Sequence, residues 1–438
     1  MSVKLSVYIE IDGSDIYVGM LSGTNAEDTV FSYADEYLNR KNCQPISISL
    51  PLTEQSFSVK QTRTYFEGLL PEGFTRKCVA KHLQADEKDY LSILSVLGSE
   101  CLGAIKIIPE GRSSNQVGYT RLTEQEVRCL AEEGVTESVQ LVTKAHLSLT
   151  GASGKVGLYY DQKKVQWYLP VGTAPSTHIV KQSHVRLKKI VANEQLCLLT
   201  AKKIGIDVPE SFIFKTESSS DEAVLFVTKR YDRIIDDECK KLNGLKVPFR
   251  LHQEDFSQAL GIPAEDKYEN NEQGYLQQMF ALLRKYSLDP IADQLKLWDI
   301  VIFNYLIGNT DNHIKNLSLL YSKDLRTVCL APAYDIISTV IYESSSENMS
   351  VSIGGLYNLR EIKRENFAKE AQKVGLGKGI AMKHFDEMVS NFESALNTAT
   401  RELEKEGELY VSEIQKQILQ NGGIANCTKV IGEDKGWN

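Results

Sequence analysis

Several things are missing from this sequence, and each absence removes a class of protein. There is no C-x-x-C pair and no Cys/His cluster with zinc-site spacing; the eight Cys are scattered. A disulfide framework is therefore not expected, and the thiols read as reduced and mostly buried in a cytoplasmic protein. No window holds eighteen consecutive apolar residues, so no membrane-spanning helix is expected. The N-terminal stretch "MSVKLSVYIEIDGSDIYVG" alternates like a strand and lacks the basic start and apolar core of a signal peptide. Positive charge is not in excess either: 50 Lys and Arg face 58 Asp and Glu, a net charge of -8. A mildly acidic chain does not coat nucleic acid by charge alone. No repeat recurs at solenoid periods, and biased composition is limited to short Ser clusters at 218–220 and 344–346.

What is present is an ordinary globular composition, 42% hydrophobic and 25% charged over 438 residues, long enough for two or three domains or lobes. Residues 1 to about 50 read as strands around a turn at Gly13. Residues 60–105 read as helices interrupted at Pro71. The polar run 109–118 reads as a linker, and Thr123 with Glu126 three positions later reads as a capping box. Residues 145–182 break into short strands, including "GKVGLYYDQKKVQWYLP" and "THIVKQ". A helix is expected from about Ala192 to Gly205, then strands at "SFIFKT" and "AVLFVTKRYDR". Beyond residue 250 the chain reads as mostly helical. Its clearest helix is 293–307, where Trp298, Val301, Ile302, Tyr305 and Leu306 make one apolar stripe. A hairpin follows, "NLSLLYS" and "TVCLAPAYD" joined near Lys323–Asp324.

That hairpin places chemistry. It starts at Asn316 and is followed by Asp335, and antiparallel pairing folds those ends together. Asp311 lies just upstream in "GNTDNHIKN". Two carboxylates and an amide oxygen then converge at one end of a helical lobe. Phosphoryl transfer needs such a set: a carboxylate to take the acceptor's proton, and an Asn and second carboxylate to hold Mg²⁺ against the phosphates. Asp311 and Asn316 have the D-x-x-x-x-N spacing of a protein-kinase catalytic loop, without the "HRD" and "DFG" of that family. Lys181, on the strand "HIVKQ", is placed to reach nucleotide phosphates, and Glu194, opening the next helix, to pair with it. Gly151, Gly154 and Gly157 lie between two strands, where glycine lets backbone N–H groups approach phosphate oxygens.

Each residue taken alone has a plainer reading. Asp311 is a turn former, and His313 a loop hydrogen-bonder or a metal ligand. Lys181 is a solvated edge-strand lysine, the glycines are a hairpin turn, and Glu194 is a helix N-terminal acid satisfied by the macrodipole. Their order along one chain favours the kinase reading.

These residues resemble the HipA family of serine/threonine kinases, the toxins of HipBA-type modules. The resemblance runs along nearly the whole chain: "YFEGLLPEGFTR" (65–76), "LGSECLGAIKI" (97–107), "APSTHIVKQ" (174–182), "KRYDR" (229–233), "LHQEDFSQALGIP" (251–263), "KYE" (267–269), "GNTDNHIKN" (308–316) and "LAPAYDI" (330–336). It implies an α+β, kinase-like two-lobed fold: an N-terminal subdomain (1–110), a strand-rich nucleotide-binding lobe (111–248) and an all-helical catalytic lobe (249–438). It implies ATP and Mg²⁺, with Asp311 as catalytic base, Asn316 and Asp335 as metal ligands and Lys181 on ATP. The loop Gly151, Ala152, Ser153, Gly154 and Lys155 would contact the phosphates, with His313 facing the nucleotide. Lys229 and Tyr231 fall at the adenine hinge. Ser148 falls where the family phosphorylates itself, and Ser153 is a second acceptor. Phosphate there would add about two negative charges beside ATP and expel the loop. The chain departs from the family pattern in two places: "GASGK" replaces the usual "GAQxK", and Lys229 stands where the hinge usually carries an acid.

The resemblance implies a protein kinase acting on an aminoacyl-tRNA synthetase class of target, in the cytoplasm. Its expected partner is a HipB-like helix-turn-helix antitoxin that carries the DNA contact. Two alternatives are a kinase-like binding module acting as antitoxin-bound co-repressor, and a small-molecule or lipid kinase.

Overall fold

The computed structural model describes residues 3–111, 117–133, 140, 154–182, 187–216, 223–271 and 273–427. These residues fall into two compact units. The first comprises Met1–His184, Phe212–Ala264 and Leu319–Val328; the second comprises Val185–Ser211, Glu265–Ser318 and Cys329–Asn438. Ser148, Gly151, Ala152 and Ser153 lie outside the described residues, as does most of the polar run after Pro109.

The first unit contains two sheets. A four-stranded antiparallel sheet runs in the order Val30–Tyr33, Ser14–Gly23, Val3–Ile11, Ile105–Pro109. Leu5, Val7 and Ile9 alternate along its second-longest strand and are wholly buried, as period-two patterning requires. The expected turn is a two-residue Asp12–Gly13 loop with φ of 49° and 73°, the backbone that matches a hairpin's twist. The helices Val59–Glu67, Gly73–Leu83 and Tyr90–Leu97 follow, interrupted around Pro71 as the sequence suggests. The Thr123 capping box is present, with Thr123 N donating to Glu126 Oε2 (2.8 Å) and Glu126 N to Thr123 Oγ1 (3.2 Å).

The second sheet has six strands, in the order Gly118–Arg121, Gln166–Val171, Lys155–Asp161, His178–Gln182, Val224–Lys229, Ser211–Lys215. "HIVKQ" is therefore an interior strand, not an edge, which removes the solvated-edge reading of Lys181.

The second unit is mostly helical. The helix Pro290–Ile307 begins on an Asp289 cap and Pro290, and ends at Gly308, whose φ is 70°. Both end signals are those expected of a helix. It is not a one-stripe helix, however: every residue from Ile300 to Ile307 is buried, so its C-terminal half is enclosed on all sides. It packs against Tyr275–Tyr286 and the 28-residue helix Lys378–Lys405, and Trp298 Nε1 donates to Ala381 O (2.9 Å). Within this helical unit a two-stranded hairpin, Asn348–Ile353 with Leu356–Asn358, interrupts the helices; the sequence reading passed over it.

Candidate active site

The loop after Gly308 is built by its own side chains. Asn309 N and Nδ2 donate back to Asn304 O and Oδ1 (2.8 and 2.7 Å), and Asp311 N donates to Asn309 Oδ1 (3.1 Å). Thr310 N donates to Thr339 Oγ1 (2.8 Å), which itself donates to Gly308 O (2.9 Å). Ser350 Oγ holds Thr310 O (2.6 Å). Downstream, His313 N and Asn316 Nδ2 both donate to Asp311 O at 2.9 Å. The backbone of Asp311 is thus tied on both sides, which fixes its carboxylate in the way a reacting group requires.

Asp311 is half-buried. Its Oδ1 accepts a 2.6 Å hydrogen bond from the hydroxyl of Tyr268, within the range of a charge-assisted O–H···O⁻ bond. Tyr268 also meets the buried His313 ring edge-on, at 5.1 Å between centroids. Glu269 anchors the segment: Oε1 accepts from Gly274 N (2.6 Å) and Tyr275 N (3.3 Å), and Oε2 from Ser352 N (2.6 Å). The sequence reading quoted "KYE" only as part of the resemblance and gave Tyr268 and Glu269 no role. Nothing local could have revealed it, because Tyr268 and Asp311 are 43 residues apart.

The hairpin forms as expected, with Ser318–Tyr321 and Val328–Leu330 adjacent in one sheet and Ala331 N donating to Ser318 O (2.9 Å). Asn316 does not start the strand; it ends a short 3₁₀ turn, Ile314–Asn316, just before it. Tyr334 Oη bridges Lys315 O (3.1 Å) and Ser318 Oγ (2.6 Å). The residue before Asp335 is therefore bonded to the residue before Asn316. Asp335 itself has φ of 57°. Asp tolerates this left-handed conformation better than most residues, and it recurs at functional sites.

A divalent cation suits this donor set. Asn316 Nδ2 donates to Asp311 O; the cation donor of its amide is the carbonyl oxygen. Asp335 supplies a carboxylate. One carboxylate and one amide oxygen, completed by phosphates and water, is an ordinary Mg²⁺ arrangement. Among the described residues no group of three or more His, Cys, Asp or Glu is assembled to hold a metal alone.

In the first unit, Lys181 is buried and packs its ammonium over Phe226 at 5.5 Å. Its direct cross-strand partner is Lys155. The sheet thus brings together the two lysines that the sequence assigns to nucleotide phosphates. Gly154 is buried just before this strand. Lys229 ends the strand Val224–Lys229 and is exposed; Tyr231 donates its hydroxyl to Gln253 Oε1. Glu194 is buried and lies one turn inside the helix Ile190–Lys203, not at its opening. The macrodipole explanation for it loses force there, since that effect fades beyond the first turn.

The rest of "KRYDR" is structural, which the sequence reading did not see. Glu100, Arg230, Asp232 and Arg233 are all buried. Glu100 accepts from Arg230 Nη1 (3.1 Å) and Arg233 Nη2 (2.8 Å), and Asp232 from Arg230 Nη2 (2.7 Å). Burial works against ionisation of Glu100, but Arg230, Arg233 and Arg250 outweigh it and hold the carboxyl below its ordinary range. The same contest leaves Asp232 at about 2, burial opposing and Arg230 and Arg233 prevailing.

Comparison with known proteins identifies the family. The profile of the HipA N-terminal domain matches residues 9–108, and that of the HipA-like C-terminal domain matches residues 147–396. A Sinorhizobium fredii protein named "Putative kinase Y4mE" is 33% identical, over 90% of this chain and 91% of its own. The "Serine/threonine-protein kinase toxin HipA" of Shewanella oneidensis is 24% identical, over 99% of this chain and 98% of its own. In solved structures, the chain matches one from the Shewanella oneidensis complex of HipA, HipB and operator DNA. The TM-score is 0.77 at 22% identity, covering 95% of this chain and 96% of the other. That match establishes the α+β, kinase-like fold. With both domain profiles matched in order, and a relative one-third identical along nearly its whole length, the chain belongs to the HipA family.

Proposed function

We propose that this protein is an ATP-dependent protein serine/threonine kinase. The observation that carries the reading is the Asp311 carboxylate: fixed by its loop, half-buried, and already accepting a hydrogen bond from the Tyr268 hydroxyl at 2.6 Å. A group so placed orients an acceptor hydroxyl and takes its proton. The acceptor oxygen bonds to the γ-phosphorus as the bond from that phosphorus to the β-bridging oxygen breaks. The proton passes to Asp311, and the products are a phosphoserine or phosphothreonine and ADP.

Asn316 and Asp335 would hold Mg²⁺, whose contribution when bound is to neutralise charge on the phosphates. Lys181 and Lys155 are assigned to the phosphates, with Gly151, Ala152, Ser153 and Gly154 as backbone donors and Glu194 as the acid paired with Lys181. The backbone at Lys229 and Tyr231 is assigned to adenine, and His313 to the nucleotide-facing side of the loop. Self-phosphorylation at Ser148, or at Ser153, would switch the enzyme off. The HipA–HipB–operator DNA complex of the structural neighbour supports an antitoxin partner through which DNA is reached; the helix-turn-helix character of that partner, and a protein target of the aminoacyl-tRNA synthetase class, are what the family resemblance implies.

The test is intact mass after incubation with Mg²⁺-ATP, beside an Asp311→Asn control. A gain of one phosphate in the wild type alone, mapped to Ser148 or Ser153, is the expected result. No gain by protein that starts unphosphorylated, binds ATP and modifies no added protein contradicts it.

A further inference from the structure

The helix Ile190–Lys203 carries Asn193, a wholly buried amide that the assignments above leave unused. Its carboxamide brackets one residue of another segment: Nδ2 donates to Ser338 O (2.9 Å), and Oδ1 accepts from Ser338 N (3.1 Å). An amide paired with a peptide in this way copies one rung of a β-ladder. Nδ2 also donates to Tyr342 Oη (3.2 Å). Just beyond the same helix, Asp207 O accepts from Ala333 N (2.8 Å). Asp335 therefore hangs between two ties, at Ala333 and at Ser338, and both run to the stretch 193–207. Ties on either side are what a residue in the left-handed region needs to stay there, and Asp335 has φ of 57°.

From Ser338 the chain clasps the start of the loop that holds Asp311. Ser338 Oγ donates to Ile307 O (2.6 Å), and Thr339 N and Oγ1 donate to Gly308 O (3.1 and 2.9 Å). These carbonyls close the helix Pro290–Ile307, where the helix itself supplies no donor. Thr339 Oγ1 in turn accepts from the N–H of Thr310 (2.8 Å), the residue before Asp311. One run of bonds thus leads from Asn193 through Ser338 and Thr339 to Thr310. All four residues are buried, and all belong to the second unit. Asp335 and Asp311 flank this run, one just before Ser338 and one just after Thr310.

Resting on the kinase reading above, we infer that Asn193 is a positioning residue for phosphoryl transfer. By holding Ser338 it sets where the Asp335 carboxylate stands relative to Asp311, and so how well Asp335 serves a divalent cation. Mg²⁺ demands near-ideal octahedral geometry. A shift of the Asp335 backbone is therefore felt as weaker metal binding more than as weaker nucleotide binding. Asn193 acts through Ser338 and needs no contact with the reacting atoms.

The experiment measures, on the full chain, the Kd of a non-hydrolysable ATP analogue with excess Mg²⁺ and with excess EDTA. The ratio of the two constants reports the metal's share of binding and cancels a general weakening of the nucleotide site. Asn193→Ala is expected to shrink this ratio about tenfold, the low end for residues that orient a metal ligand, and to lower phosphate transfer at saturating Mg²⁺-ATP. The control is Thr200→Ala on the same helix, which also loses a buried bond, from Thr200 Oγ1 to Leu196 O (2.7 Å). Its ratio is expected to stay within about twofold of wild type, since Ser338 is still held. A wild-type ratio in Asn193→Ala, or an equal fall in Thr200→Ala, overturns the assignment. Asn193→Asp keeps the shape and, when protonated, both bonds. Its ratio is expected to fall below wild type as pH rises from about 6.5 to about 8.5 and the buried carboxyl ionises; a wild-type ratio throughout also overturns the assignment. Wild type that binds the analogue with Mg²⁺ but transfers no phosphate ends the kinase reading, while the ratio still decides whether Asn193 governs the metal site. If Mg²⁺ makes no difference to wild type, both fall.

Discussion

Two regions of this molecule are rich in charge and conduct themselves oppositely. In the first unit, Glu100, Arg230, Asp232 and Arg233 are sealed from solvent, balanced two against two, and bonded to one another. In the second, Asp311 and Asp335 are half-buried on loops, one beside an open cleft and one in a left-handed backbone conformation. The first region is closed by its own ion pairs; in the second, Asp311 lines a cleft. Perturbed ionisation here marks a buried structural lattice, in which arginines hold Glu100 and Asp232 charged; Asp311 is distinguished instead by the backbone bonds that fix its loop.

The comparison breaks most visibly if the lattice is opened. Glu100→Ala leaves Arg230 and Arg233 buried with one partner fewer. It should cost about 3–5 kcal/mol of stability, read as a lower urea midpoint. A loss below about 1 kcal/mol means that the lattice is solvated in solution.

A second buried pair gives a pH signature. Glu254 accepts from Ser47 Oγ (2.5 Å), Ile48 N (3.1 Å) and Tyr321 Oη, yet burial raises its pKa from 4.5 to about 7. Nearby in sequence, His252 donates Nε2–H to Ile46 O (2.8 Å), and burial lowers it from 6.5 to about 4. Between pH 4.5 and 7 the folded state holds a proton on Glu254 that the unfolded state has lost, so this group's stabilisation falls as pH rises. Between pH 4 and 6.5 the unfolded state holds a proton on His252 that the folded state lacks, so stability rises with pH. The two slopes oppose each other and nearly cancel over pH 4.5–6.5. His252→Gln should expose the Glu254 slope, with stability dropping by about 2–3 kcal/mol from pH 4.5 to 6.5 at 1.36 kcal/mol per pH unit. Glu254→Gln should tilt the curve the other way. Urea midpoints at both pH values decide it, and a flat profile in both variants contradicts the assignment.

Smaller effects sharpen the other side. Asp335→Asn keeps a residue that accepts a positive φ, so it should leave the melting temperature unchanged while phosphate transfer falls. Asp335→Ala should lose transfer and, in addition, about 1 kcal/mol of stability from backbone strain. Equal stability of the two variants contradicts strain at this position. Smallest of all, the surface pair Lys189–Glu413, at 2.5 Å but with the acid 57% exposed, should change stability by no more than about 0.5 kcal/mol on Glu413→Gln.

Much of this was readable from residue order, where the signals are local. The helix before Asp311 showed its end in Gly308, although it begins at Pro290, three residues before the expected start; "HIVKQ" coincides with the strand His178–Gln182, and the hairpin downstream of Asn316 showed its turn at Lys323–Asp324. Two contacts were out of reach for a physical reason. Tyr268 meets Asp311 through tertiary packing, and Glu100 meets Arg230 across 130 residues. In the strand Asn348–Ile353 every residue from Met349 to Ile353 is buried. Its sequence, "NMSVSI", alternates polar and apolar residues as a strand does, so this element was legible and was passed over; only the burial of Ser350 and Ser352, sheltered by bonds to Thr310 O and Glu269, was not.

The central claim is that Asp311 serves chemistry and not the fold. The direct measurement is γ-phosphate transfer and urea unfolding on the same preparations of wild type and Asp311→Asn. The account predicts a fall in transfer of about 10²–10⁴-fold with the unfolding midpoint unchanged. Transfer within a few-fold of wild type would contradict it, and so would a loss of transfer that only follows a loss of stability.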